Sequence, residues 1–173
     1  MVELTDYQTV WAEQYQDEAA RISQVLGPNL VAIHHIGSTA VPGLVAKPII
    51  DLMGEVNSLE ASDAMNREMQ FLGYEVMDAY GIPGRRYYRK FNSERRRTHH
   101  LHVFLSGSDH VTRHLAFRDY LIAHAEAAKA YADLKLRLVT IDDGDWDSYL
   151  IGKEKFIKDT ERMALEWSAR MGA

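Results

Sequence analysis

The segment His35-Ile36-Gly37-Ser38-Thr39-Ala40-Val41-Pro42-Gly43-Leu44-Val45-Ala46-Lys47-Pro48-Ile49-Ile50-Asp51 joins two β-type runs through a loop of small residues. Before it, residues 30–36 are mostly branched and apolar. After it, residues 49–53 are apolar except for Asp51, the pattern of a buried strand. A buried charge has to be paired or metal-bound, so Asp51 needs a reason to be there. A Gly-Ser turn after a strand exposes backbone N–H groups and a hydroxyl, which suit phosphate oxygens. Gly37, Ser38 and Thr39 are therefore candidate phosphate contacts, and Lys47 can add a point charge. Asp51 can hold a divalent cation against the same oxygens. The same residues also describe a tight turn whose serine caps a helix.

Outward from this segment, Trp11, Tyr15, Ala19, Ile22 and Leu26 recur at helical spacing, which predicts a helix over 6–26 stopped by Gly27-Pro28. A second helix is expected over 58–72 and a short strand over 74–77. Residues 86–91 and 98–105 read as a β-hairpin. Helices follow near 109–124, 126–141 and 146–170, with Asp145 as candidate N-cap of the last. This order predicts an α+β fold, a mixed β-sheet covered by helices with a C-terminal helical segment. At 173 residues the chain is expected to form a single domain, 1–173.

Composition narrows the function. Apolar residues make up 46% and charged residues 26%, which is ordinary globular usage and excludes disorder. No run of about 18 apolar residues offers a membrane span. The first residues lack a basic region followed by an apolar stretch, so no signal peptide is expected. Cysteine is absent, which removes disulfides, zinc thiolates and cysteine nucleophiles and fits a cytoplasmic protein. The net charge of −5 argues against generic DNA binding.

Three further clusters carry chemistry. In His99-His100-Leu101-His102, alternation places His100 and His102 on one face, about 6.6 Å apart along the strand. Both imidazoles can then reach one metal or phosphate, and either can act as a base; hydrogen-bonded strand histidines give the same pattern. Arg85, Arg86, Arg89, Lys90, Arg95, Arg96 and Arg97 form a local basic patch in an acidic chain. It suits nucleotide phosphates, or RNA as a less favoured partner, with Arg86 the best placed near a strand start. Tyr149, Lys153, Phe156 and Thr160 share one helical face, so Lys153 either points its amine into a cleft or snorkels to water.

The long segment quoted first resembles the signature of the GrpB family. His99 to Val103, Phe117 to Leu121, Tyr131 to Lys135, and Tyr149 with Lys153 continue the resemblance in order along nearly the whole chain. It implies a nucleotidyltransferase-like fold, in which Gly-Ser lies under a triphosphate and strand carboxylates bind Mg²⁺ for in-line transfer. It also implies kinship with a domain fused to dephospho-CoA kinase, and hence a nucleotide, a CoA-related compound or another phosphate-bearing small molecule as ligand. On that pattern Asp51, His102 and His100 would be catalytic, and Gly37, Ser38, Thr39, Lys47, Arg86, Tyr149 and Lys153 would bind phosphate or nucleotide. Asp51, His102 and His35 would hold the metal. The chain departs from the pattern at Met53, where a second carboxylate is expected, and Glu55 lies roughly 13 Å from Asp51 at strand rise. Either one metal suffices, Mn²⁺ or Zn²⁺ suiting this donor set better than Mg²⁺, or the domain binds its ligand without transferring it.

Overall fold

The computed structural model describes residues 1–172; Ala173, the last residue of the expected domain, lies outside the described residues. Five strands, β1 (Leu30–Ile36), β2 (Ile50–Val56), β3 (Tyr74–Val76), β4 (Arg86–Phe91) and β5 (Arg97–Leu105), form one sheet in the order β1-β2-β5-β4-β3. The β2/β5 pair is parallel and the other pairs are antiparallel, so the sheet is mixed, as expected of this α+β chain.

Helices cover both faces. On one side lie α1 (Val10–Leu26), α2 (Leu59–Asp63) and α3 (Asn66–Phe71); on the other, α4 (Asp109–Ala123), with α5 (Ala125–Thr140) and the long C-terminal α6 (Trp146–Met171) behind it. The split follows from strand alternation. Leu52 and Val56 of β2 join Trp11, Ile22, Leu26, Met69 and Tyr88 in the main core. Met53, two residues beyond Asp51, joins Ile36, Phe104 and Val111 on the opposite face. A third cluster, Val41, Leu44, Leu121 and Tyr131, fastens the 37–49 loop to α4 and α5. Among the described residues no helix is long and apolar enough to cross a membrane.

Two helices differ from expectation. The first starts at Val10 rather than residue 6, because Thr5 pairs with Ala46 through bonds of 2.8 and 3.0 Å and keeps the leading residues extended. The expected 58–72 helix is broken into α2 and α3. Its backbone tightens where Met65 N–H bonds the Ser62 carbonyl, and the restart at Asn66 buries Met69 under the sheet. Asp145 caps α6 by accepting from the Ser148 N–H at 3.0 Å.

Candidate functional site

The site forms where β2 meets β5. Their parallel register sets Asp51 beside His100 and Met53 beside His102, and β1 sets Ile36 beside Asp51. Paired residues share a face, so Asp51, His100 and His102 all point toward α4–α6. His100 Nδ1 lies 3.3 Å and His102 Nε2 3.6 Å from the same oxygen, Asp51 Oδ1. Burial pushes the Asp51 carboxyl up, but the two imidazoles outweigh it and hold the group well below the usual carboxylate range. His100 Nε2 and His102 Nδ1 are buried without a hydrogen-bond partner.

Gly37 makes this corner possible. Its φ is 74°, and a Cβ there would stand 2.7 Å from Asp51 Oδ2. Gly37→Ala is therefore expected to lose about 1–3 kcal/mol from backbone strain plus displacement of the carboxylate. Urea unfolding measures this, and an unchanged midpoint would contradict the close packing.

Beside Asp51 opens a cavity of about 170 Å³, floored by Gly37, Ser38 and Thr39 and walled by Lys47, Lys135 and Lys153. Each lysine lies over an aromatic ring. Lys47 Nζ is 3.8 Å from the Trp146 ring centre, Lys135 Nζ is 4.5 Å from that of Tyr131, and Lys153 Nζ is 4.3 Å from that of Tyr149. Lys135 also donates to Ser38 Oγ at 3.0 Å and to the Val45 carbonyl. Burial, reinforced by repulsion from Lys153 and Lys47, lowers Lys135 to about 7. Burial and Lys153 lower Lys47 to about 8 despite Asp51 nearby, and burial lowers Lys153 to about 8. Three lysines and one carboxylate thus line the same cavity.

Gly152 lets α5 and α6 approach closely, since a Cβ there would stand 2.3 Å from Leu138 Cδ2. That approach brings the lysines of the two helices together. On the far side of Asp51, a second cavity of about 210 Å³ is lined by Gly37, His102, Arg113, His114 and Phe117.

The expected residues divide accordingly. Gly37, Ser38, Thr39, Lys47, Asp51, His100, Tyr149 and Lys153 meet at the first cavity, and His102 reaches Asp51 from the second. His35 does not join them. It pairs with Leu52 on the opposite face, stacks on Tyr15 at 4.8 Å and bonds Thr39 Oγ1 at 2.9 Å. Burial lowers it to about 4, with Arg118 adding to the effect and Asp51 opposing it. It therefore supports the turn as a neutral ring on the face opposite His100 and His102. Arg86 is likewise elsewhere. It faces α2 and grips Asp63 through both Nε and Nη2, at 2.7 and 3.1 Å. Within the rest of the basic patch, Arg89 pairs with Glu75, Lys90 with Glu18 and Arg96 with Glu3.

Sequence reasoning missed Lys135. The available signal was a repeated spacing: Tyr131 with Lys135 and Tyr149 with Lys153 are both Tyr-x-x-x-Lys pairs on helices. It also missed Arg118, whose Nη1 donates to the His35 carbonyl at 3.1 Å and ties α4 to the end of β1. Among the described residues no group of three or more histidine and carboxylate side chains is spaced to hold a metal ion. Asp51, His100 and His102 are directed at one another instead.

Residues 1–163 match the family model described as GrpB protein. The chain belongs to the GrpB family. A solved structure titled as the conserved protein GrpB from Enterococcus faecalis superposes with a TM-score of 0.91 at 40% identity, covering 96% of this chain and 99% of that one. The UPF0157 protein YqkA of Bacillus subtilis is 43% identical over 96% of this chain, which spans 48% of that relative's length. A dephospho-CoA kinase of Mycolicibacterium paratuberculosis is 28% identical over 94% of this chain, corresponding to 46% of the kinase. The GrpB chain thus spans about half the length of these two relatives.

Proposed function

We propose that this GrpB domain binds a nucleotide or another phosphate-bearing small molecule, with a CoA-related compound among the first to try, and transfers the nucleotidyl group to an acceptor. The observation that carries the reading is the convergence of Lys47, Lys135 and Lys153 on a cavity floored by Ser38 and containing one carboxylate. Ammonium groups held this close repel one another until an anion of several charges enters. The likeness to a dephospho-CoA kinase adds the CoA-related candidate.

Asp51 with His102 and His100 would be the donors for a divalent cation, which would screen phosphate charge; the imidazoles would first have to turn from Asp51 Oδ1. In this reading Lys47 and Lys153 neutralise phosphate oxygens, Lys135 holds Ser38 in place, Ser38 and Thr39 orient the oxygens, and His100 accepts or returns a proton at the ligand.

A thermal-shift screen tests this. ATP, GTP, CTP, UTP, CoA and dephospho-CoA would be added with Mg²⁺, Mn²⁺, Zn²⁺ or EDTA. A ligand at about 100 times its Kd should stabilise by about 2.7 kcal/mol, several degrees at this size. Loss of the metal-dependent part in Asp51→Asn places the cation at Asp51. A flat screen across all six compounds overturns the proposal.

A further inference from the structure

Lys135 is 2% exposed, yet the partners of its Nζ are two neutral oxygens, Ser38 Oγ at 3.0 Å and the Val45 carbonyl. The charges acting on it are those of Lys47 and Lys153, both unfavourable to an ammonium. Phosphate neutralisation alone does not require a lysine that is so enclosed, because Lys47 and Lys153 already face the same space. A neutral amine, in contrast, fits these surroundings. Once deprotonated it keeps a hydrogen for the Val45 carbonyl, and its lone pair can take the Ser38 O–H in place of the present donation from Nζ to Ser38 Oγ. Ser38 itself is half-buried at the cavity floor, in a turn fixed by Gly37 at φ 74°. A hydroxyl next to a base it can hydrogen-bond, at the floor of a cationic cavity, has the arrangement of an activated nucleophile.

We infer that Ser38 and Lys135 form a serine–lysine dyad, and that the transferred phosphorus passes through a covalent ester on Ser38 Oγ. The inference rests on the phosphate reading of the cavity. In the first step Ser38 Oγ attacks phosphorus and its proton moves to Lys135 Nζ. The bond from phosphorus to the leaving oxygen breaks, and Lys135 gives its proton to that oxygen. In the second step an acceptor hydroxyl, or water, attacks the phosphoserine ester. Lys135 takes the acceptor's proton and returns it to Ser38 Oγ as the ester breaks. Lys47 and Lys153 neutralise the charge that gathers on the non-bridging oxygens in both steps. Lowering Lys135 to about 7 suits it to take and give a proton near neutrality.

The full chain would be incubated with ATP or with acetyl phosphate, quenched in acid, and analysed by intact mass and peptide mapping. The expected result is one acid-stable phosphoryl or nucleotidyl group on Ser38. Ser38→Ala should abolish it. Lys135→Arg, which keeps the charge and removes the base, should slow its appearance about a hundredfold or more. Circular dichroism and thermal melting would establish that both variants fold. An unlabelled wild-type chain, labelling at Asp51 or His100 instead, or undiminished labelling in Lys135→Arg overturns the dyad. Calorimetric titration with inorganic pyrophosphate separates the two readings: binding without labelling sinks the dyad alone, and absence of both sinks the phosphate cavity with it.

Discussion

Glu18→Ala is expected to cost about 3–5 kcal/mol of folding stability, a large share of the roughly 5–15 kcal/mol available to a domain. Glu18 sits on α1 with its side chain 2% exposed. It accepts from Tyr74 Oη at 2.8 Å, Lys90 Nζ at 2.9 Å and Arg21 Nη1 at 3.1 Å, and His99 Nε2 lies 4.0 Å away. The carboxylate thus ties α1 to β3, β4 and β5. Removing it strands an ammonium and a buried phenol, which is why the loss exceeds that of a surface ion pair. Urea unfolding of wild type and variant gives the difference directly. Burial works to raise the Glu18 carboxyl, but the hydrogen bonds from Lys90 and Tyr74 outweigh it and lower it below its ordinary value. A depressed carboxyl contributes stability that is complete above the unfolded value and lost as pH falls through the folded one. The variant should accordingly show a shallower loss of stability below about pH 4.5. A cost under about 1 kcal/mol would mean the network is dispensable to the fold.

Inorganic pyrophosphate is expected to bind with proton uptake and to weaken tenfold or more from about pH 6 to about pH 9. Lys47 and Lys153 near 8 are partly deprotonated across that range in the empty cavity. An entering polyanion favours their charged forms and draws protons from solution. Calorimetry in buffers of different ionisation enthalpy counts those protons. Lys153→Met should take up fewer and bind more weakly.

Without ligand the slope of stability with pH has the same sign as for Glu18, at a higher pH, because the folded values of Lys135, Lys47 and Lys153 are lowered too. The folded lysines bind fewer protons than the unfolded ones above about pH 7, so these groups make stability rise with pH up to about 10. The slope is at most about 1.4 kcal/mol per pH unit for each lysine. Lys135→Met should flatten it. An unchanged slope in the variant would show that Lys135 is not enclosed with the other two lysines.

Much of this was written locally in the sequence. The apolar run around Asp51 specified a buried strand, and the Gly-Ser turn specified a sharp exit from β1. The spacing of Trp11, Ala19, Ile22 and Leu26 specified the buried face of α1, and alternation placed His100 and His102 on one face of β5. Each follows from backbone geometry within a single element. What pairs with what did not follow. His35 is the ionisable side chain at the edge of the Gly-Ser turn, yet the β1/β2 register sets Ile36, not His35, beside Asp51. One residue of register moves a side chain to the other face, and no local pattern fixes register between strands joined by a long loop. Arg86 failed for the same reason, since its position opposite Val103 turns it toward α2 and Asp63. Lys135 is the converse case. Its helix was legible, but 97 positions separate it from Ser38, and the bond between them exists because α5 packs over the loop through Tyr131, Val41 and Leu44. The sequence by itself determined the elements and the chemistry each face carries. Strand register and helix packing alone decided which of those faces meet around Asp51.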